Sequence, residues 1–253
     1  MSQDFKTMMR DRTANEYGKI QNFLRPDYGF HPNFGREILC KDVTTPNGRH
    51  YTTPEGNRYP SITTILSKSK PQKDIDGLEK WRKKVGHEKA AKITKEAAVR
   101  GTALHTLVER FILAEGQSDY PIEGDKNGRL FKQIHPYVAR IGQIHIIEKP
   151  LYSDILKVAG RVDLIGEFDG KLSVIDFKSS TKEKQEAWIF DYLLQETFYS
   201  VAYGAMFPER IEQIVTIMAV EETGEPQLFI KKPADYLKPL VERVKKYYAE
   251  NPT

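Results

Sequence analysis

Gly160–Ser180, GRVDLIGEFDGKLSVIDFKSS, carries two aspartates and a lysine at spacings that could hold a divalent cation beside a cationic group. Asp169-Gly170 between apolar runs predicts a two-residue type I′ turn, because both central positions need positive φ and Asp-Gly adopts it cheaply. With that turn Phe168 faces Lys171, and counting back along both strands sets Asp163 opposite Asp176. Side chains alternate faces, so Asp176 and Lys178 share a face with Asp163, while Ile175 and Phe177 point the other way. Directly opposed residues have Cβ atoms about 4.5–5.5 Å apart, a separation at which like charges destabilise a sheet. A bound cation, one protonated carboxyl or full solvation would relieve the repulsion. Val162, Leu164 and Ile165 on one strand and Leu172, Val174 and Ile175 on the other put apolar residues on both faces, which argues against solvation. Mg²⁺ is commonly held by one or two carboxylates plus waters and phosphate oxygens. The hairpin therefore reads as a Mg²⁺ or Mn²⁺ site with Lys178 beside it. The alternative is a structural ion-pair cluster, in which Lys178 and Arg161, also opposite each other, neutralise the two aspartates.

Two further pairs could join that chemistry. His105 and Glu109 lie four apart in GTALHTLVE, on one side of a predicted helix and at the border of the apolar stripe of Leu104, Leu107, Val108 and Phe111. A histidine there serves a structural role, or its imidazole joins two carboxylates around Mg²⁺ or, better, Mn²⁺. Gln195 and Tyr199 repeat the spacing on the helix that follows the hairpin, whose first turns must lie near the carboxylates; polar decoration of an amphipathic helix is the other reading. Acid-x-Lys also occurs at Asp4–Lys6 and Asp169–Lys171, but only Asp176–Lys178 lies in an apolar strand with an acid placed opposite. The chain has no GxxxxGK[ST] and hence no ATP motor of its own.

The elements that must position these residues follow from periodicity and punctuation. Residues 1–57 read as an irregular extension with at most one short helix, and residues 58–253 as the main domain. Arg49–Thr53 and Arg58–Pro60 flank a turn at Pro54–Asn57, and Ser61 is placed to cap a helix starting at Ile62. Helices are predicted over 75–85, 87–99, 102–115 (ended by Glu115-Gly116) and 126–141, then strands over 143–153, 157–168 and 171–179. A helix over 184–206 has Trp188, Leu194, Phe198, Val201 and Ala205 along its apolar side. Strands over 214–221 and 227–231 and a basic amphipathic helix over 234–248 end the chain. This order indicates an α/β fold with helices on both faces of a sheet.

With 253 residues, 39% hydrophobic and 29% charged, and a mean hydropathy of −0.56, the chain can bury a core and offers no membrane span. The start, MSQDFKT, matches neither a signal peptide nor a transit peptide, so a cytoplasmic location is expected, in the host cytoplasm for a phage-encoded chain. A single cysteine, Cys40, excludes an intramolecular disulfide and a Cys-ligated iron–sulfur cluster. The net charge of +4 is uneven: Lys68–Arg100 holds eleven Lys and Arg against five Asp and Glu. Either that stretch faces a polyanion, or it forms a pair of solvated helices.

Taken in order, Gly-Thr-x-x-His105-x-x-x-Glu109, Gly-x-x-Asp163, Asp176-x-Lys178 and Gln195-x-x-x-Tyr199 resemble the RecB-like branch of the PD-(D/E)XK nucleases. Tyr-Pro60-Ser-Ile-Thr-Thr-Ile-Leu, Trp81 and Val-Ala-Tyr-Gly-Ala-Met206 extend the likeness to the mitochondrial genome maintenance exonucleases and their phage relatives, over roughly residues 58 to 248. Asp163 follows valine where the family name has proline, and the iron–sulfur cysteines of the CRISPR-associated relatives are missing. The resemblance implies a restriction-endonuclease-like core, a central mixed sheet flanked by helices, with a helical N-terminal arch. It implies Asp163, Asp176, His105 and the Phe177 carbonyl as ligands of Mg²⁺ or Mn²⁺, and Lys178 as the group that orients or deprotonates water. Glu109 would support His105 or a second cation, and Gln195 and Tyr199 would position Lys178 and the substrate. The basic helices would guide single-stranded DNA, with Ser61, Lys80, Trp81, Lys83, Lys84, Lys92 and Arg100 as contacts. The implied activity is exonucleolytic hydrolysis of single-stranded DNA or single-stranded tails, alongside replication, repair or recombination proteins. A structure-specific endonuclease and a catalytically silent nucleic-acid-binding subunit are the alternatives.

Overall fold

The computed structural model describes residues 26–113 and 126–252. Strands β1 (Lys41–Thr45), β2 (Gly48–Thr52) and β3 (Arg58–Pro60) make a small antiparallel sheet. Within residues 26–57 the chain forms a 3-10 turn (Pro32–Gly35) and the strands β1 and β2, and β2–β3 pairing joins residues on both sides of position 57. Helix α1 (Ile62–Lys68) starts where expected, with Ser61 Oγ accepting from the Thr64 amide at 3.1 Å.

Helices α2 (Gln72–Val85) and α3 (His87–Leu113) are joined through Gly86 at φ 92°. Helix α3 is continuous through Gly101, where the sequence predicted two helices. A mid-helix glycine costs only about 1 kcal/mol, and Leu104, Val108, Phe111 and Ile112 anchor the second half in the core. The first half buries only Ala90, and α2 buries nothing, so this pair projects from the body. The expected stop at Glu115-Gly116 lies outside the described residues. Helix α4 (Lys126–Val138) ends three residues short of the predicted boundary, because Ile141 already opens the sheet.

Strands β4 (Ile141–Ser153), β5 (Val158–Phe168), β6 (Lys171–Ser180), β7 (Gln213–Val220) and β8 (Gln227–Lys231) form the main sheet in that order. All neighbours are antiparallel except β6 and β7, which α5 (Phe190–Met206) connects as a parallel crossover. Helices α1, α5 and α6 (Ala234–Glu250) cover one face and α3 and α4 the other, each over its own apolar cluster. The architecture is the mixed, helix-flanked α/β sheet of a restriction-endonuclease-like fold. Among the described residues no helix is long and apolar enough to cross a membrane.

The helix after β6 departs from expectation. It opens with a 3-10 turn, Glu186–Ile189, before α5 begins. Leu193, Leu194, Phe198, Ala202 and Tyr203 face the core, Val201 is half-buried, and Ala205 and Trp188 are exposed, the indole at 63%.

Candidate active site

The hairpin forms with the counted register. Asp169 and Gly170 take φ of 52° and 73°, and pairing runs from Phe168↔Lys171 to Leu164↔Ile175. There the ladder ends. The Phe177 amide donates to Asp163 Oδ2 at 3.0 Å, so the next rung is closed by a side chain. Beyond it β5 stays with β4 and β6 stays with β7, and the two strands fork. Tyr199 holds the β5 arm of the fork, its hydroxyl donating to the Arg161 carbonyl at 2.6 Å. Gly160 is required there, since a Cβ would lie 2.9 Å from the buried Tyr199 ring.

A third acid joins the row. Ile147↔Leu164 and Lys149↔Val162 bracket Glu148, which therefore stands across β5 from Asp163 on the side away from Asp176. Glu148 has φ 47°, an uncommon conformation for a residue other than glycine, and its carbonyl accepts from Arg161 Nη1 at 2.9 Å. Sequence reasoning missed it. The turn Asp154–Lys157 sets the β4–β5 register, and counting back from Ser153↔Val158 would have placed Glu148 opposite Asp163.

His105 reaches the row from α3. Its Nδ1 lies 3.5 Å from Asp163 Oδ2 and 3.6 Å from Glu148 Oε1. One ligand atom from each of His105, Glu148 and Asp163 falls within 4.8 Å of the others. Two oxygens and one imidazole at that spacing suit a single divalent cation of the Mg²⁺ or Mn²⁺ kind. Burial disfavours the charged imidazole, but the Asp163 charge and the Glu148 carboxylate outweigh it and raise its pKa to about 9.

Asp176 is fully buried, and Lys178 is its ion-pair partner. Burial raises the Asp176 carboxyl to about 6, against the pull of Lys178 and with the push of Asp163. Lys178 is itself desolvated, yet Asp176 and Asp163 hold it above its ordinary value. Apart from Lys178 at Oδ2, Asp176 has no polar partner among the described residues, which leaves Oδ1 buried and unpaired. A buried, unsatisfied acceptor beside a cluster of acids is what a cation-binding site presents. Of the alternative ion-pair cluster only the Lys178 half forms: the Arg161 side chain is exposed and reaches the Glu148 carbonyl and Asp42.

The remaining predicted residues divide. Glu109 is half-buried, its pKa raised by burial and then by Glu148. Gln195 Nε2 donates to the Tyr199 hydroxyl at 3.4 Å, but Tyr199 is buried and supports the fork. The ring beside Lys178 is that of Tyr192, with Nζ 4.9 Å from its centre. Below them Glu196, also unanticipated, is fully buried and accepts from Thr216; burial, then Asp176, pushes its pKa far up.

Among the proposed DNA contacts, Lys80, Lys83 and Lys84 are exposed on α2 and make no ion pair among the described residues, and Trp81 is partly exposed beside them. Lys92 is exposed near Glu96. Ser61 is buried as a helix cap, and Arg100 is committed to the fold, bonding Ser179 Oγ at 3.2 Å and Glu221 at 3.0 Å. Arg100 thereby ties α3 next to Lys178. At the other foot of the projecting pair, Lys70 lies 3.6 Å from Asp191, the neighbour of Tyr192.

The family described as the PD-(D/E)XK nuclease superfamily matches residues 126–250. Mitochondrial genome maintenance exonuclease 1 of Mus musculus is 26% identical over 162 residues, 60% of this chain and 46% of that protein. The protein of the same name from Xenopus tropicalis is 31% identical over 131 residues, 49% of this chain and 37% of its own length. The one from Homo sapiens is 24% identical over 159 residues, 59% and 44% respectively. The chain spans less than half the length of these curated relatives. Residues 126–250, which hold the forked hairpin with Glu148, Asp163 and Asp176, are a PD-(D/E)XK nuclease superfamily domain.

Proposed function

We propose that this chain is a divalent-metal-dependent exonuclease that hydrolyses phosphodiester bonds of single-stranded DNA or single-stranded tails. The observation that carries the reading is the row Glu148–Asp163–Asp176 with His105 at one end and Lys178 at the other. His105, Glu148 and Asp163 would hold Mg²⁺ or Mn²⁺, with Asp176 and the Phe177 carbonyl completing the set. The cation when bound supplies Lewis-acid charge stabilisation and a more acidic water.

The chain's own residues do the rest. Lys178, paired with Asp176 and resting on Tyr192, is placed to orient the attacking water and to offset negative charge on the phosphoryl oxygens. Tyr199 keeps the fork open by holding the Arg161 carbonyl. The α2–α3 pair has one foot at Asp191, next in sequence to Tyr192, and the other at Ser179, next to Lys178. A flexible single strand can pass between such feet, with Lys80, Lys83 and Lys84 along its phosphates. Service beside replication or recombination proteins is the expected setting.

Digestion of end-labelled linear and circular single strands in Mn²⁺, with a chelator control, tests the reading. Linear strands should shorten from an end, circles should survive, and Lys178→Ala should bind strand without turnover. Cleavage of circles would instead identify an endonuclease. Absence of metal-dependent product from either substrate would leave only a binding subunit.

A further inference from the structure

Trp188 is the large apolar side chain that the fold leaves outside where the sequence pattern expects core. Its 3-10 turn leads directly into α5, one turn ahead of Tyr192. Within α5, helical spacing joins Tyr192, Gln195 and Tyr199 into one stripe. Each member is engaged at the site: Tyr199 on the β5 arm, Gln195 on Tyr199, and Tyr192 under the Lys178 ammonium. That stripe runs outward from the fork to the lysine, and the 3-10 turn just ahead of it carries an indole that is 63% exposed.

Both acids flanking this outer end are already neutralised. Glu186 pairs with Lys231 at 2.6 Å and accepts from the Tyr236 hydroxyl. Asp191 pairs with Arg243 at 2.8 Å and with Lys70. A polyanion approaching the indole therefore meets compensated carboxylates, one of them held by Lys70 at the foot of the α2–α3 pair. These facts favour a nucleic-acid strand over an apolar protein segment as the occupant.

We propose that Trp188, with Tyr192 behind it, is a base-stacking platform for the strand engaged at Lys178, taking the face of an unpaired base next to the reacting phosphate. The proposal rests on the nuclease reading of the site. A base in a duplex has both faces covered by its neighbours, so an indole at this place favours single strands.

The chain has two tryptophans, so Trp81→Phe leaves Trp188 as the sole indole reporter. Titration of that variant with oligothymidylate in Ca²⁺ should quench its emission, and a matched abasic strand should bind without the quench. In the otherwise unaltered chain Trp188→Ala should raise KM for a single-stranded oligonucleotide roughly 5- to 100-fold, the equivalent of losing one stacked base. Its kcat should change less than twofold, and Trp188→Phe should recover most of the loss. An exposed indole contributes little to the fold, so the melting temperature should not move. Cleavage with an unchanged KM for Trp188→Ala, or no quench at saturating strand, overturns the platform and leaves the nuclease standing. Emission that shifts with protein concentration and not with strand assigns the indole to a second copy of the chain, which also overturns it. No cleavage by the unaltered chain overturns the nuclease reading, and the platform with it.

Discussion

The amide of Phe177 donates to a carboxylate oxygen of Asp163 at the point where β5 and β6 part. One side chain thus closes the last rung of the ladder and offers its charge to the site. The two duties can be separated. Asp163→Asn keeps an acceptor for the buried amide, whereas Asp163→Ala orphans it, at a cost of about 1–3 kcal/mol. Asp163→Asn should melt near the unaltered protein and Asp163→Ala clearly below it, while calorimetric titration shows Mn²⁺ binding weakened in both.

Glu148 is the acid that the register adds to the cluster. Glu148→Gln should preserve the fold, since its backbone bond from Arg161 is untouched. Removing one carboxylate near the cation should weaken Mn²⁺ binding roughly 10- to 100-fold. An unchanged affinity would exclude Glu148 from the ligand set.

Charge crowding should also show in the pH dependence of the chelator-treated protein. Asp176 is raised from 3.8 to about 6 and His105 from 6.5 to about 9. The folded chain therefore holds more protons than the unfolded chain across both windows, and stability falls as pH rises through each. The His105 contribution is complete below pH 6.5 and gone above about 9. Melting temperatures taken with EDTA should drop between pH 6.5 and 9, and Asp163→Asn should shallow that drop by removing the largest charge that favours the imidazolium. A flat profile in the unaltered protein would contradict the crowding.

Gly160→Ala tests the fork itself. The added methyl would sit 2.9 Å from Tyr199, a ring pinned by its bond to Arg161, and 3.1 Å from Ile62. Overpacking of this kind costs about 1–3 kcal/mol. The variant should melt lower and lose turnover, because the β5 arm must shift.

The hairpin was legible in the sequence because its information is local: two turn residues fix the register, and the register fixes which side chains share a face. Glu148 stayed hidden because its position depends on the less distinctive turn Asp154–Lys157. Lys178 was legible in the hairpin register and His105 in its spacing from Glu109, and the structure supplies the distance that joins His105 to Asp163. Basic character singled out residues 68–100 but could not say which of their cations were free. Arg100 and Ser61 are spent on Glu221 and Thr64, contacts made by tertiary packing and helix capping. Trp188 failed as a core residue for a related reason. The 3-10 turn shifts the phase of the helix, and hydrophobic periodicity assumes one unbroken pitch.

Helix α2, from Gln72 to Val85, buries none of its side chains. Its amides are protected only by the helix's own hydrogen bonds, so it opens without disturbing the sheet. Native-state hydrogen exchange should therefore release α2 orders of magnitude sooner than the β5–β6 ladder. A helix that melts and re-forms while the acid row stays intact can change its shape without loosening the site.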